Sequence, residues 1–305
     1  MSLFLKDTLL YLAQNQQIRD FVIQNRLTRN VSRRFVAGEV LTDALQVTRI
    51  LNKRGIQVAL DLLGENVASE NEAHAATHDY IAAIDLIKDT GIDANVSVKL
   101  TALGLDISRE LCEQNLIQIL QEAQKQQIFV CIDMEGSAYT ERTVQIALKM
   151  HAQFPLVGTV IQSYLYRSKD DITELIEQGV RVRLVKGAYK EPASLAYQHK
   201  LDVDRAYIEL MHMLLARGNF PAIATHDEPI LTDARTFVRN YGIAPSKFEF
   251  QMLYGIRRDL QEQFVQQKYS IRVYVPYGSQ WYPYLMRRMA ERPANLVFVV
   301  SNSLR

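Results

Sequence analysis

From residue 55 onward, eight short apolar runs alternate with longer stretches of helical periodicity. That alternation constrains the fold of this 305-residue chain more than any other feature. The strand-like runs cover 56–63, 95–100, 128–134, 157–166, 180–185, 222–225, 248–253 and 271–275, and most stop at polar residues, Gly or Pro. Between them lie helical segments such as 111–123, where Leu111, Ile117, Leu120 and Gln124 trace one face. Ser108 and Ser168 each precede charged first turns and read as helix N-caps. Eight β/α units in roughly 250 residues match the count and size of a (β/α)8 barrel. A doubly wound open sheet is the main competitor, but it usually has fewer strands. The expected class is therefore α/β, a (β/α)8 TIM barrel.

Residues 1–54 do not fit the alternation. Helices are expected over 3–12, 18–27 and 41–51, the last with Thr42 or Asp43 near its start. No linker rich in Pro, Ser or Gly follows them, and no repeat period suggests a solenoid. The expected organisation is a helical extension over 1–54 packed on a catalytic barrel over 55–305.

The composition, 48% hydrophobic and 23% charged, suits a soluble globular protein with a sizeable core. A net charge of +1 gives no case for nucleic-acid binding. The two cysteines, Cys112 and Cys131, have no metal-ligand spacing and point to a reducing cytosol rather than a disulfide framework. No run approaches the about 20 apolar residues of a membrane-spanning helix, and the opening residues do not read as a secretion signal. His74 and His78 stand four apart without a Glu-x-x-His signature, so a solvated helix face is expected there. Glycine-rich nucleotide motifs of the Rossmann or P-loop kind are absent.

The stretch Arg183-Leu184-Val185-Lys186-Gly187-Ala188-Tyr189 is unusual for a strand and its exit. A strand covered on both faces should be almost wholly apolar, and an unpaired cation there costs several kcal/mol. Such charges call for a partner at the strand end: a carboxylate, an anionic ligand or a cofactor. Barrel enzymes work at the C-terminal ends of their strands. Those ends carry Lys99, Asp133, Gln162, Arg183 with Lys186, Thr225 with His226 and Asp227, Gln251, and Tyr274. A single polar residue at a strand end is usually structural, yet almost every strand here sends a polar group to one rim. Beyond the last strand, Glu291 lies four residues from Arg287 and three from Arg288. An exposed pair of that kind contributes under about 1 kcal/mol. The aromatic setting instead suggests partial burial, where two guanidiniums grip a carboxylate in planar, bidentate geometry.

Several segments resemble the proline dehydrogenase family. They are Arg34–Glu39, Leu60–Glu65, Val98–Thr101, Ile132–Glu135, Arg183–Tyr189, Ala224–Asp227, Phe250–Gly255 and the Tyr284–Glu291 helix, in that order. The resemblance runs from about residue 34 to the C-terminus and implies a distorted (β/α)8 barrel holding FAD. It implies that Asp133 and Arg183 form the catalytic pair, with Arg183 reaching the flavin N5 region. Met134, Gln162, Val185, Lys186, Gly187, Ala188, Thr225, His226 and Gln251 would line the FAD, with Gly187 allowing close backbone approach. Lys99, Arg287 and Arg288 would hold the carboxylate of L-proline, and Tyr189, Leu253 and Tyr274 would pack around its ring. Glu65 would pair with Arg287 and, with Glu291, gate the pocket.

The implied activity is hydride transfer from proline C5 to the flavin, giving Δ1-pyrroline-5-carboxylate. No residue stands out as a base for the amine. The length suits the monofunctional bacterial type, whose product passes to a separate pyrroline-5-carboxylate dehydrogenase. Electrons would go to a quinone, which implies peripheral contact with the inner face of the cell membrane. Without the resemblance, Lys99 and Lys186 leave a Schiff-base aldolase open, His226, Asp227 and Asp133 a metal hydrolase, and the barrel a non-catalytic binding module.

Overall fold

The computed structural model describes residues 32–291, with side chains through Met286. The helices expected over 3–12 and 18–27 lie outside the described residues. The third is present as α1 (Leu41–Asn52), with Thr42 and Asp43 in its first turn as expected and Val40 at the N-cap without a side-chain bond.

From there the chain alternates: β1 (Gln57–Leu62), α2 (Glu70–Thr90), β2 (Ala94–Val98), α3 (Arg109–Gln126), β3 (Val130–Ile132) and α4 (Ser137–His151). It continues through β4 (Val157–Gln162), α5 (Ser168–Glu177), β5 (Arg181–Val185), α6 (Lys200–Arg217), β6 (Ala222–Ala224) and α7 (Glu228–Asn240). A short 3-10 turn, Pro245–Lys247, leads to β7 (Glu249–Leu253), α8 (Arg258–Gln266), β8 (Ile271–Tyr277) and α9 (Trp281–Glu291). Each strand pairs in parallel with the next, and β8 returns to β1 to close the barrel.

Three strands end two or more residues before their apolar runs do, at Val98, Ile132 and Gln162. The chain leaves the ladder there to form the rim; the β4–β5 pairing, for example, closes on a rung in which Ser163 donates its amide to the Val185 carbonyl at 2.8 Å. Ser108 caps α3 as expected, accepting from the Leu111 amide at 3.0 Å. Ser168 does not cap α5. It is already helical, and its hydroxyl donates to the Gln162 carbonyl at 2.6 Å. The buried face of α3 also differs from expectation, running through Cys112, Leu116, Ile119, Leu120 and Ala123. Asn115 also lies on that face, where its amide donates to the Leu103 carbonyl at 3.1 Å, a buried polar member that apolar spacing alone does not reveal.

The main core lies between the strands and the helical ring, with Val58, Leu60, Val96, Val98, Val182 and Leu184 among its members. Cys112 and Cys131 are free and buried. The alternate strand positions face the lumen. A barrel of this kind is ordinarily filled there by layers of branched aliphatics. Here the lumen carries charges, and burial demands that they be paired. At its lower end, Arg272 Nε donates to both oxygens of Glu249 at 3.1 Å, and its Nη1 donates to the Val58 carbonyl at 2.9 Å. Arg181 lies over the rings of Phe129 and Phe220, 4.0 and 4.4 Å from their centroids.

The segment before α1 straps the exit of β8. Ala37 donates its amide to the Pro276 carbonyl, Gly278 donates to Gly38, and Trp281 Nε1 donates to Glu39 Oε1 at 3.3 Å. The Arg34–Glu39 motif thereby sets the origin of α9, the helix that carries Arg287 and Arg288.

Candidate active site

The upper lumen holds a chain of charges alternating in sign. Asp61, wholly buried on β1, accepts a hydrogen bond from the ammonium of Lys99, just beyond β2. Lys99 Nζ lies 3.8 Å from Asp133 Oδ2, and Asp133 Oδ1 accepts from Arg183 Nη1 at 2.8 Å. Arg183 crosses the lumen from β5 to β2, where its Nη2 donates to Ser97 Oγ at 3.0 Å. Tyr274 closes the group from β8, donating to Asp133 Oδ2 at 2.6 Å, with the Arg183 guanidinium 5.2 Å from its ring centroid.

Burial alone would pull the Lys99 ammonium down, but the carboxylates of Asp61 and Asp133 overcome it and hold the group well above the ordinary lysine range. Lys99 is therefore a fixed cation. Arg183 Nε is buried and has no protein partner, so the most enclosed cation of the site keeps an unused donor. Such an orphan in a folded core calls for an acceptor supplied from elsewhere.

The other expected residues fall on the same rim with varied commitments. Gln162 donates its Nε2 to the Glu135 carbonyl at 2.9 Å, and Gln251 donates its Nε2 to Glu249 Oε1 at 2.6 Å. His226 Nε2 accepts the Leu253 amide at 2.9 Å, which joins the ends of β6 and β7. Thr225 Oγ1 accepts from the Asp227 amide at 3.1 Å. Met134 is buried, Val185, Leu253 and Tyr189 are half-buried, and Ala188 is exposed.

Lys186 is not a free cation. It donates to Asp204 and, at 2.7 Å, to Asp227, a carboxylate that Lys200 also approaches at 3.1 Å. The need for glycine at 187 also has an internal origin. Its φ is +119°, and a Cβ there would lie 2.4 Å from the Tyr164 ring, so the protein's own packing excludes a side chain.

Glu65 sits half-buried in the loop after β1. Arg287, Arg288 and Glu291 belong to the last turns of α9, but their side chains lie outside the described residues. His74 Nδ1 pairs with Asn115 Oδ1 at 3.1 Å, a structural bond between α2 and α3. Among the described residues, no cluster of three His, Cys, Asp or Glu could hold a metal ion.

Sequence reasoning missed Asp61, Ser97, Thr101 and Glu135 as members of the site. Asp61 carried a usable signal, being an acid inside the apolar run Leu60-Asp61-Leu62, the same anomaly that exposed Arg183. Ser97 and Thr101 had none, since a small hydroxyl suits a strand end for many reasons.

A closed parallel barrel with polar groups from nearly every strand gathered at the C-terminal rim defines a (β/α)8-barrel enzyme. Comparison with known proteins narrows this. The family model for proline dehydrogenase matches residues 44–301. The chain is 41% identical over 301 residues to proline dehydrogenase 1 of Bacillus subtilis subsp. natto, covering 99% of both chains. It is 40% identical over 305 residues to proline dehydrogenase of Deinococcus radiodurans, covering 98% of both. Among solved structures, proline utilization A (PutA) from Bdellovibrio bacteriovorus, inactivated by N-propargylglycine, superposes with a TM-score of 0.81 at 26% identity. That match spans 87% of this chain and 33% of the larger protein. The chain belongs to the proline dehydrogenase family.

Proposed function

We propose that the upper lumen oxidises L-proline to Δ1-pyrroline-5-carboxylate with FAD as cofactor, the first step of proline breakdown. The observation that carries this reading is the buried Asp61–Lys99–Asp133–Arg183 chain, ending on a guanidinium whose Nε lacks a protein acceptor. A flavin ring presents acceptors along one edge and gains negative charge on reduction, so a buried cation with a spare donor fits it. Bound here, the flavin would supply the hydride acceptor.

The remaining work belongs to the chain's own residues. Met134, Gln162, Val185, Lys186, Gly187, Ala188, Thr225, His226 and Gln251 would hold the cofactor. Asp133 and Tyr274 fix the Arg183 guanidinium, so its charge needs no reorganisation during reaction. Lys99, kept charged by Asp61, binds the proline carboxylate, joined by Arg287 and Arg288 from α9. Fixing the carboxylate orients C5 and supplies the proximity contribution to rate. Tyr189, Leu253 and Tyr274 bound the ring, and Glu65 and Glu291 close over it. The substrate leaves with an N=C5 double bond after losing a hydride from C5 and a proton from its amine.

The same reading assigns the product to a separate pyrroline-5-carboxylate dehydrogenase and the electrons to a quinone, at the cytoplasmic face of a membrane. Among the described residues, no helix is long and apolar enough to cross one. The Schiff-base alternative is disfavoured because a lysine held charged by two carboxylates is a poor nucleophile. The test is dye reduction by flavin-loaded protein on addition of L-proline. Lys99→Met should raise KM for proline by at least about tenfold while the flavin stays bound. Failure of proline to drive dye reduction would overturn the proposal.

A further inference from the structure

We propose that Thr101 and Glu135 are positioning residues that clamp the loop carrying Glu65 to the cofactor side of the barrel. This rests on the reading that Glu65 stands over the proline site. The loop leaves β1 at Leu63, whose amide donates to the Tyr277 carbonyl at 2.8 Å. Its second anchor is Thr101. The Asn66 amide donates to Thr101 Oγ1 at 3.1 Å, and the Val67 amide donates to the Thr101 carbonyl at 3.4 Å. Gly64 and Glu65 span the two anchors. Asn66 holds a left-handed backbone, φ +56°, a conformation that persists in non-glycine residues when surrounding bonds enforce it.

Thr101 is itself held from one direction. Its amide donates to Glu135 Oε1 at 3.1 Å and its hydroxyl donates to Glu135 Oε2 at 2.5 Å. The hydroxyl proton being committed to the carboxylate, the oxygen lone pairs face the Asn66 amide. A hydroxyl can give and receive in this way, whereas a methyl cannot. Both side chains are buried, so water does not compete for these bonds. The main-chain carbonyl of Glu135 accepts Gln162 Nε2, so one residue joins the expected cofactor contact to the loop over the substrate. Neither Thr101 nor Glu135 is assigned a place against substrate or cofactor. Their effect passes through the placement of Glu65 and Gln162.

Thr101→Val keeps the shape and removes the hydroxyl, and Thr101→Ser restores it. Two readouts decide the matter: hydrogen exchange of the peptide spanning 64–68, and the separate KM and kcat for proline. Thr101→Val should speed exchange about tenfold and raise KM by a similar factor, with kcat within about twofold, the scale of losing one buried hydrogen bond. Thr101→Ser should return both to wild type. Unchanged exchange in Thr101→Val, faster exchange without a KM change, or no rescue by serine would each overturn the clamp. Should Thr101→Val fold poorly, Glu135→Gln keeps an acceptor near the hydroxyl while weakening it and carries the same two readouts. Exchange needs no turnover, so a wild-type protein that fails to oxidise proline contradicts the functional reading while the exchange result still decides the clamp.

Discussion

Asp61 and Lys99, one on β1 and the other just past β2, form a buried ion pair in which only Lys99 keeps any appreciable exposure. A lone ammonium at that depth would be driven neutral; the Asp61 and Asp133 carboxylates hold Lys99 charged, while burial pushes the Asp61 carboxyl up against the pull of Lys99. In the proposed function, Lys99 serves as a cation for the proline carboxylate because Asp61 stands behind it.

Breaking one partner should therefore cost far more than removing both. Asp61→Asn is expected to destabilise the fold by about 3 kcal/mol, and Lys99→Met by a similar amount. The double variant should recover more than half of their summed loss, since no orphaned charge remains. Urea denaturation of the four proteins checks this, and simple additivity would contradict it.

Tyr274 orients Asp133, which in turn orients Arg183. Tyr274→Phe keeps the ring beside the guanidinium but frees Asp133 Oδ2. The expected result is about a tenfold fall in kcat/KM with flavin content unchanged, the scale of one charge-assisted hydrogen bond. Steady-state kinetics and the flavin-to-protein absorbance ratio together check it. Loss of flavin would assign Tyr274 to cofactor retention instead.

Gly187→Ala should fail for two reasons, a backbone angle unsuited to a side chain and a collision with the Tyr164 ring. A destabilisation of about 1–3 kcal/mol is expected. Flavin content should fall too, because Lys186–Tyr189 would move with the displaced ring. Thermal denaturation and flavin content measure the two effects.

The lower lumen predicts an acid dependence. Burial raises the Glu249 carboxyl, but the charge of Arg272 and the bonds from Arg272 and Gln251 outweigh it and hold the group below the ordinary glutamate range. A carboxyl depressed in the folded state adds stability that is complete above the ordinary glutamate value and lost as pH falls through the folded one. The Tm gap between wild type and Glu249→Gln should thus be widest near neutrality and narrow in acid below the ordinary range. A gap independent of pH would show that the pair contributes packing rather than charge.

Much of the fold was legible because the pattern is repetitive. Eight apolar runs became eight strands, each within a few residues of its expected position, and the rim followed from reading their ends. Asp133, Arg183, Lys99 and Tyr274 were found this way, and the structure brings them into one connected group. What escaped was set by tertiary contact. Asp61 lies inside a strand rather than at its end, so a search of strand ends passed over it. Ser168 has the look of a cap, but the Gln162 carbonyl competes for its hydroxyl. Gly187 pointed to a close backbone approach, and the structure adds a need no sequence pattern shows, since Tyr164, 23 positions earlier, fills the space a Cβ would take. Glu135 stands two residues after the expected catalytic Asp133, yet its partner Thr101 comes from a different strand end and the pairing has no sequence signature.

The central claim is that these charges surround a flavin which proline reduces. Anaerobic titration of the purified, flavin-loaded protein with L-proline tests it most directly. The oxidised-flavin absorbance should bleach on proline addition, with Δ1-pyrroline-5-carboxylate appearing in equal amount to the flavin reduced. A flavin band that persists at saturating proline would contradict it.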